Sequence, residues 1–118
     1  HRHLTAELLD KLISSEDHGL FVAVCNGEVV GWLHLFRALR VESGMFAEIG
    51  GFIVQQPMRG RGIGKRLLVA AERWARSSGI GRLRVRTRSE RSGAQVFYGR
   101  SGFALGKEQK VYDKVLDW

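Results

Sequence analysis

A glycine-rich segment between an apolar run and an amphipathic run constrains this chain more than any other feature. Residues 55–65 read Gln-Gln-Pro-Met-Arg-Gly-Arg-Gly-Ile-Gly-Lys, with glycine at the alternate positions 60, 62 and 64. Alternate glycines remove side chains from a turn, so that successive backbone N–H groups can point at one anion. A helix that begins there adds roughly half a positive charge. The segment therefore predicts a cradle for a phosphate or pyrophosphate.

Spacing excludes two other phosphate-binding patterns. A Walker loop needs glycine at the position of Arg59 and Ser or Thr at the position of Arg66. A dinucleotide-binding G-x-G-x-x-G pattern needs glycine at the position of Lys65 or Leu67. A glycine-rich loop that binds nothing, followed by a basic surface helix, remains the alternative interpretation.

The composition is that of an ordinary globular protein. The chain has 118 residues, of which 44% are hydrophobic and 26% charged, and we expect a single domain over residues 1–118. No apolar run approaches the roughly 18 residues that span a bilayer, and no signal peptide is evident, so we expect a cytoplasmic protein without a membrane partner. The only cysteine, Cys25, cannot form an intrachain disulfide. A net charge of +7 favours an anionic partner.

Hydrophobic periodicity predicts a mixed α/β fold. Asn26–Gly27 between two apolar runs is typical of a tight hairpin. The strand–helix–strand unit from Phe46 to Arg88 needs a right-handed crossover, which makes its two strands parallel. The predicted helices are His3–Ser15, Ile63–Ser77 and Ala94–Arg100, and the predicted strands are Leu20–Cys25, Glu28–Phe36, Phe46–Val54, Arg82–Arg88, Phe103–Leu105 and Lys110–Leu116.

The third predicted strand has two unusual features. Gly50–Gly51 interrupts it, which indicates a bulge or a close backbone approach. Glu48 places a carboxylate inside its apolar stretch. Strand alternation puts Glu48 on the same face as Phe52 and Val54, unless the bulge changes the count. Glu48 is therefore either a functional carboxylate or a partnered or solvent-facing structural one.

Three sequence blocks resemble those of the GNAT superfamily of N-acetyltransferases. Arg59-x-x-Gly62-x-Gly64 resembles the family's acetyl-CoA signature. Phe97-Tyr98-x-x-x-Gly102-Phe103, with Ala94 one turn earlier, is similar to a second block, and Val111-Tyr112-x-Lys114-x-Leu116 to the closing strand of small-molecule members. The resemblance covers about residue 20 to the C-terminus. It implies a mostly antiparallel sheet with a central, splayed parallel strand pair flanked by helices, and the family's usual extra N-terminal strand and helix are not evident.

The resemblance implies acetyl-CoA as the acyl donor, with its pyrophosphate on the amides of Arg59–Lys65. It implies that the backbone of Phe52–Val54 pairs with pantetheine as an added strand does. The Gly50–Gly51 bulge would splay this strand from Arg82–Arg88 and open the slot. The implied cofactor-binding residues are Phe52, Ile53, Val54, Arg59, Gly60, Arg61, Gly62, Ile63, Gly64, Lys65 and Arg91, the last standing where the family often has an asparagine.

Two residues are candidates for proton transfer. Tyr98 occupies the family's tyrosine position and is the predicted general acid, since a phenol with a pKa of about 10 can protonate a departing thiolate. A core tyrosine with its hydroxyl at the surface is the alternative. The strand around Glu48 resembles the one that carries the base glutamate in the histone-acetylating branch, so Glu48 is the predicted general base, directly or through a water.

The predicted function is acetyl transfer from acetyl-CoA to the primary amine of a small molecule, by direct attack in a ternary complex. Alternatives are acetylation of a protein or peptide amine, and an acyl-CoA-binding domain without turnover. A nucleic-acid-binding module, suggested by Arg82, Arg84, Arg86 and Arg88, lacks interleaved surface aromatics; we expect those arginines to form a solvated or subunit-contact face. A homodimer is left open.

The histidines give no sign of a metal site. His1, His3, His18 and His34 are scattered and do not have metal-ligand spacing, so we expect no metal. His34, which lies in a predicted strand next to Trp32, either lines the acceptor pocket or is a structural histidine.

Overall fold

The computed structural model describes residues 15–86, 92–106 and 110–116. The predicted helix His3–Ser15 lies outside these ranges except for Ser15, which is not helical, and Arg91 lies outside them as well. The chain divides into two compact units, His1–Arg86 and Thr87–Trp118. Within the described ranges, no helix is both long and apolar enough to cross a membrane.

The first unit contains a four-stranded sheet in the order β1-β2-β3-β4. The strands are β1 (His18–Cys25), β2 (Glu28–Arg40), β3 (Gly44–Val54) and β4 (Leu83–Val85). The first three are antiparallel neighbours, and β3 and β4 are parallel. Asn26 and Gly27 join β1 to β2 with φ values of 52° and 80°, the positive pair that a type I′ turn requires. The predicted mixed, mostly antiparallel fold is confirmed.

Helix α1 (Ile63–Ser77) has the predicted bounds and packs on one face of the sheet. Its apolar stripe repeats at helical spacing, so that one side of the helix is buried while the arginines stay outside. A Cβ added to Gly31 of β2 would lie 3.4 Å from carbons of Ile63 and Leu67, which shows how closely helix and sheet approach. The core between them includes Leu33, Leu35, Ala47, Ile49, Leu67, Leu68, Ala71 and Ala75.

Two bulges decide which side chains share the other face of the sheet. The β1–β2 register shifts between Val24↔Val29 and Ala23↔Gly31. The β2–β3 register shifts between Leu35↔Ile49 and His34↔Gly51, which leaves Gly50 as the extra residue and confirms the predicted bulge. The face opposite α1 consequently carries His18, Leu20, Trp32, His34, Phe36, Phe46, Glu48 and Ile53.

The bulge overturns the face that simple alternation predicts for Glu48. Glu48 pairs with Phe36, and Ile53 pairs with Trp32, so these residues lie on the same face. Phe52 pairs with Leu33 and lies on the core face. The prediction that Glu48 shares a face with Phe52 and Val54 is therefore wrong, because the extra residue at Gly50 inverts the alternation.

The second unit contains helix α2 (Ser92–Arg100), which begins two residues before the predicted start. The helix ends at a turn in which Gly102 has φ 91° and the Phe103 amide donates to the Tyr98 carbonyl at 3.0 Å. Residues 103–106 and 110–116 are in neither helix nor strand, so the predicted strands Phe103–Leu105 and Lys110–Leu116 are wrong. Strand-like composition is not sufficient, because a strand needs a ladder partner and a face to bury; here Val115 is 91% exposed.

Candidate functional site

The glycine turn connects the end of β3 to the start of α1. Gln56–Met58 forms one 3₁₀ turn, after which Gly60 and Gly62 both have φ of 80°. A Cβ at either glycine would meet nothing within 4 Å, so glycine is needed there for its backbone conformation and the space beside it is open. The Arg59 side chain donates from Nε to the Val54 carbonyl at 3.0 Å, which ties the turn to the last residue of β3.

Helix α1 begins without a side-chain cap. Its N-cap is Gly62, and its first turn contains no acidic residue. The Arg66 amide makes the first intrahelical bond, to the Gly62 carbonyl at 3.1 Å. The amides of Ile63, Gly64 and Lys65 precede that bond and have no carbonyl of the helix to reach. An uncapped N-terminus beside an open, glycine-lined turn can accept an anion, so the geometry supports the predicted cradle.

Basic side chains surround this helix start. Arg61, Lys65 and Arg66 are exposed. A groove of about 460 Å³ lies along the outer side of α1 and is lined by Lys65, Arg66, Val69, Ala70 and Arg73. Their positive charge raises the local potential for an anionic ligand at the helix N-terminus.

The β3–β4 ladder stops at the bulge. It consists of the pairs Ala47↔Leu83, Glu48↔Arg84 and Ile49↔Val85. Strand β4 ends at Val85, whereas β3 continues through Phe52–Val54 along β2. In the part of the chain that the structure describes, the parallel pair therefore separates at Gly50. The half-buried residues Phe52–Val54 stand where the resemblance expects pantetheine.

Glu48 is held by one oxygen and unsatisfied at the other. Its Oε2 accepts a hydrogen bond from Nε of Arg86 at 3.2 Å, and its side chain is 13% exposed. Its Oε1 is buried without a hydrogen-bond partner among the described residues. An unsatisfied buried acceptor costs about 1–3 kcal/mol, so Oε1 is a position where a donor would bind favourably.

Arg84 in β4 and Arg86 just after it both contact the neighbouring strand β3. The Arg84 guanidinium lies 4.0 Å from the centre of the Phe46 ring, and Arg86 binds Glu48. Arg82 is exposed, and Arg88 lies outside the described residues. The prediction of a solvated or subunit-contact face is thus wrong for Arg84, whereas Arg86 is both exposed to solvent and bonded to Glu48. The sequence contained a signal for the ion pair between Arg86 and Glu48. The predicted strands Arg82–Arg88 and Phe46–Val54 were expected to be parallel neighbours, which brings arginines of the first beside Glu48 in the second.

Two histidines that sequence analysis treated as scattered form a pair. Nδ1 of His18 lies 2.8 Å from Nε2 of His34, and the Phe36 ring packs near both imidazoles. Burial, and secondly the neighbouring His18, lower the pKa of His34 below its usual value. A Cβ added to Gly50 would lie 3.4 Å from Nδ1 of His34, so that nitrogen stands beside the bulge. No group of three potential metal ligands occurs among the described residues.

Tyr98 lies in α2 of the second unit. Its ring makes edge contacts with Phe97 and Phe103, each with ring centres 5.4 Å apart. Burial raises the pKa of Tyr98 above its ordinary value of 10.0, so the hydroxyl keeps its proton throughout the neutral range. This environment provides a stable proton donor that is a weaker acid than a free phenol.

Comparisons with known proteins identify the family of the chain. Residues 1–103 match the acetyltransferase (GNAT) family. An aminoalkylphosphonate N-acetyltransferase of Salmonella typhimurium is 37% identical over 83 residues, which cover 70% of this chain and 54% of that protein. N-alpha-acetyltransferase 80 of Mus musculus is 35% identical over 79 residues, 67% of this chain and 23% of that protein. The chain thus spans about half or less of the length of these curated relatives.

The fold also matches solved structures. Aminoglycoside N-acetyltransferase AAC(6')-Iy, solved in complex with CoA, superposes with a TM-score of 0.84 at 22% sequence identity. The match covers 98% of this chain and 90% of that one. At this level of identity, the likeness establishes a common fold.

Proposed function

Because this chain belongs to the acetyltransferase (GNAT) family, we propose that it transfers an acetyl group from acetyl-CoA to the primary amine of a small molecule. The observation that carries the proposal is the uncapped start of α1, where three amides and two left-handed glycines leave an open site for an anion. A pyrophosphate matches such a site in size and charge. The net charge of +7 favours the same polyanionic donor.

The acyl donor, acetyl-CoA, would lie along β3 and the glycine turn that follows it. Amides of Gly62–Lys65 would hold the pyrophosphate, with Arg61 and Lys65 adding charge. The backbone of Phe52–Val54 would pair with the amides of pantetheine, as in strand addition. This arrangement would bring the thioester to the bulge at Gly50, where β4 has ended. Arg91 stands where the family often has an asparagine that binds pantetheine, and it would reach a CoA phosphate instead.

Glu48 would act on the acceptor. An amine arrives as an ammonium ion and must lose a proton before its nitrogen can attack the thioester carbon. The unsatisfied Oε1 of Glu48 can accept that proton, directly or through a water, while Arg86 keeps the carboxylate in place through Oε2. Arg86 is thus a positioning residue in this proposal.

Tyr98 would act on the leaving group. As the new C–N bond forms and the C–S bond breaks, the thiolate of CoA needs a proton, which the Tyr98 hydroxyl would give. The attack is direct, so no acetyl group is held by the protein. The ammonium ion loses two protons per turnover: one leaves to solvent, and the other, lost by the nitrogen as the amide forms, replaces the proton that Tyr98 has given to the thiol.

The names of the relatives support the proposed acceptor class. The names of an aminoalkylphosphonate N-acetyltransferase and an aminoglycoside N-acetyltransferase both specify small acceptors that carry amines. A second candidate, the terminal amine of a protein, is favoured by the 35% identity to N-alpha-acetyltransferase 80. The small amine is preferred because the relative at 37% identity is aligned over a larger share of its own length, 54% against 23%.

Thiol release in a panel of amines tests the proposal. The protein is mixed with acetyl-CoA and, separately, an aminoalkylphosphonate, an amino sugar, a polyamine and a peptide with a free N-terminus. We expect thiol release above background hydrolysis with a small amine. Release with the peptide alone would favour the second candidate. Binding of acetyl-CoA without release in any mixture would contradict both and identify a non-catalytic domain.

A further inference from the structure

The proposed reaction, on which this inference rests, leaves one proton that must reach solvent in every turnover. Glu48, which would take that proton, is poorly placed to release it. Its Oε2 is engaged by Arg86, its Oε1 is buried, and only 13% of its side chain is exposed. A base that cannot pass on its proton cannot serve a second turnover, so a route from the sheet face to solvent is required.

The hydrogen-bonded histidine pair lies on the same face of the sheet. In the β2–β3 register Phe36 pairs with Glu48, and His34 is the next residue of β2 on that face. In a regular ladder such diagonal neighbours lie about 7–8 Å apart, and here the bulge at Gly50 lies between them, so a proton step from Glu48 to His34 would run through water. Among the described residues of β2 on that face, His34 is the titratable group nearest in register to Glu48.

We propose that His34 and His18 form a proton relay that carries the proton of the acceptor amine from the Glu48 side of the bulge to solvent. The outer nitrogen of the pair, Nδ1 of His34, stands beside Gly50, where the β3–β4 ladder ends. The inner nitrogens, Nε2 of His34 and Nδ1 of His18, are 2.8 Å apart. The end of the relay farthest from Glu48 is Nε2 of His18, and His18 is the first residue of the edge strand β1.

The proton count balances along this route. When His34 Nδ1 accepts a proton, Nε2–H of His34 is given to Nδ1 of His18, and His18 releases its own Nε2 proton to water. Both rings change tautomer and neither keeps an extra charge, provided that both begin neutral. The lowered pKa of His34 favours the neutral form of that ring at neutral pH.

The charged groups around the pair are compatible with a relay. On β3 the nearest is Glu48 with its partner Arg86, and on β4 Arg84 pairs in register with Glu48 and stacks on Phe46. Before β1, Asp17 lies next to His18 and is bound to Arg37 at 3.4 Å. The two imidazoles are hydrogen-bonded to each other, as proton transfer between them requires.

Chemical rescue distinguishes a relay from a structural pair. His34→Gln and His18→Gln keep a polar side chain but cannot exchange protons. In dilute buffer we expect kcat to fall about tenfold in each, less than the 10²–10⁴-fold worth of a direct general acid or base, because water can partly replace a relay. Added imidazole should restore kcat in both variants and leave wild type unchanged. Enzyme-free blanks correct for direct acetylation of imidazole.

A control variant and two contrary results complete the test of the relay. Val22→Thr, an exposed position on the same face of β1, should keep wild-type kcat at every imidazole concentration. The relay is overturned if kcat of His34→Gln stays within twofold of wild type. It is also overturned if kcat falls and added imidazole does not raise it. If the proposed function itself is wrong, the wild-type protein will show no turnover, which distinguishes that failure from failure of the relay.

Discussion

At the scale of single residues, the two tyrosines of the chain have different surroundings. Tyr98 is half-buried between aromatic rings, and Tyr112 is 88% exposed. Tyr98→Phe removes the proposed donor and keeps the ring, so we expect kcat to fall about 10²–10⁴-fold while the KM for acetyl-CoA changes little. Tyr112→Phe is the matched control and should keep wild-type kcat. A kcat within twofold of wild type for Tyr98→Phe would make Tyr98 structural.

The raised pKa of Tyr98 also predicts the shape of the wild-type pH profile. A donor whose pKa lies above 10.0 stays protonated through neutral and moderately alkaline pH. Tyr98 should therefore cause no loss of rate in that range, and a decline at high pH should begin only above about 10. Steady-state rates over the alkaline range check this.

Glu48→Gln tests the base at the same scale. A base matters only while the amine has a proton to lose, so the variant should lose about 10²-fold or more in rate below the pKa of the acceptor and much less above it. Glu42→Gln, in the turn before β3, makes the same chemical change at an exposed position and should be neutral. If the Glu48→Gln profile runs parallel to wild type at all pH values, the amine loses its proton elsewhere.

The His34 environment predicts a pH dependence of stability. The folded pKa of His34 is lowered by burial and by His18, so on acidification the unfolded chain takes up a proton that the folded chain resists. Stability should fall as pH drops through about 6.5, the unperturbed pKa of histidine. The free energy of unfolding of His34→Gln should depend less steeply on pH in that window. Equal slopes in urea titrations of both proteins would contradict the assignment.

At the scale of elements, the glycine turn is the part most open to test. Gly64→Asp would place a carboxylate in the first turn of α1, where it would interact favourably with the helix dipole and repel a phosphate. We expect calorimetry to show loss of acetyl-CoA binding while circular dichroism shows an intact fold. Ser77→Asp adds the same charge about 20 Å along the same helix and should bind normally. Unchanged affinity in folded Gly64→Asp would remove the turn from the cofactor site.

The elements also show what sequence can and cannot predict. Helix α1 and the Asn26–Gly27 hairpin are predictable because their signals, the apolar stripe and the turn residues, are local. The contacts of Glu48 and of the histidine pair are not. An uninterrupted count from the hairpin would put His18 and His34 on opposite faces, and the shift after Val24↔Val29 brings them to the same one. A single extra residue in a strand thus redistributes side chains between faces.

At the scale of the whole molecule, the proposal assigns the two proton transfers to different units. The base and the cofactor turn belong to the first unit, and Tyr98 belongs to the second. The cofactor turn carries little information about the acceptor, because it binds the part of the donor that reactions of this kind share. Acceptor identity must therefore come from direct measurement.

The most direct measurement follows the acetyl group itself. The protein is incubated with acetyl-CoA labelled in the acetyl group and the best amine of the panel, and the products are examined by mass spectrometry. The account predicts one labelled acetyl on the acceptor nitrogen for each free CoA thiol, and no label on the protein. Label recovered as free acetate, or held on the protein with none on the amine, would contradict direct acetyl transfer.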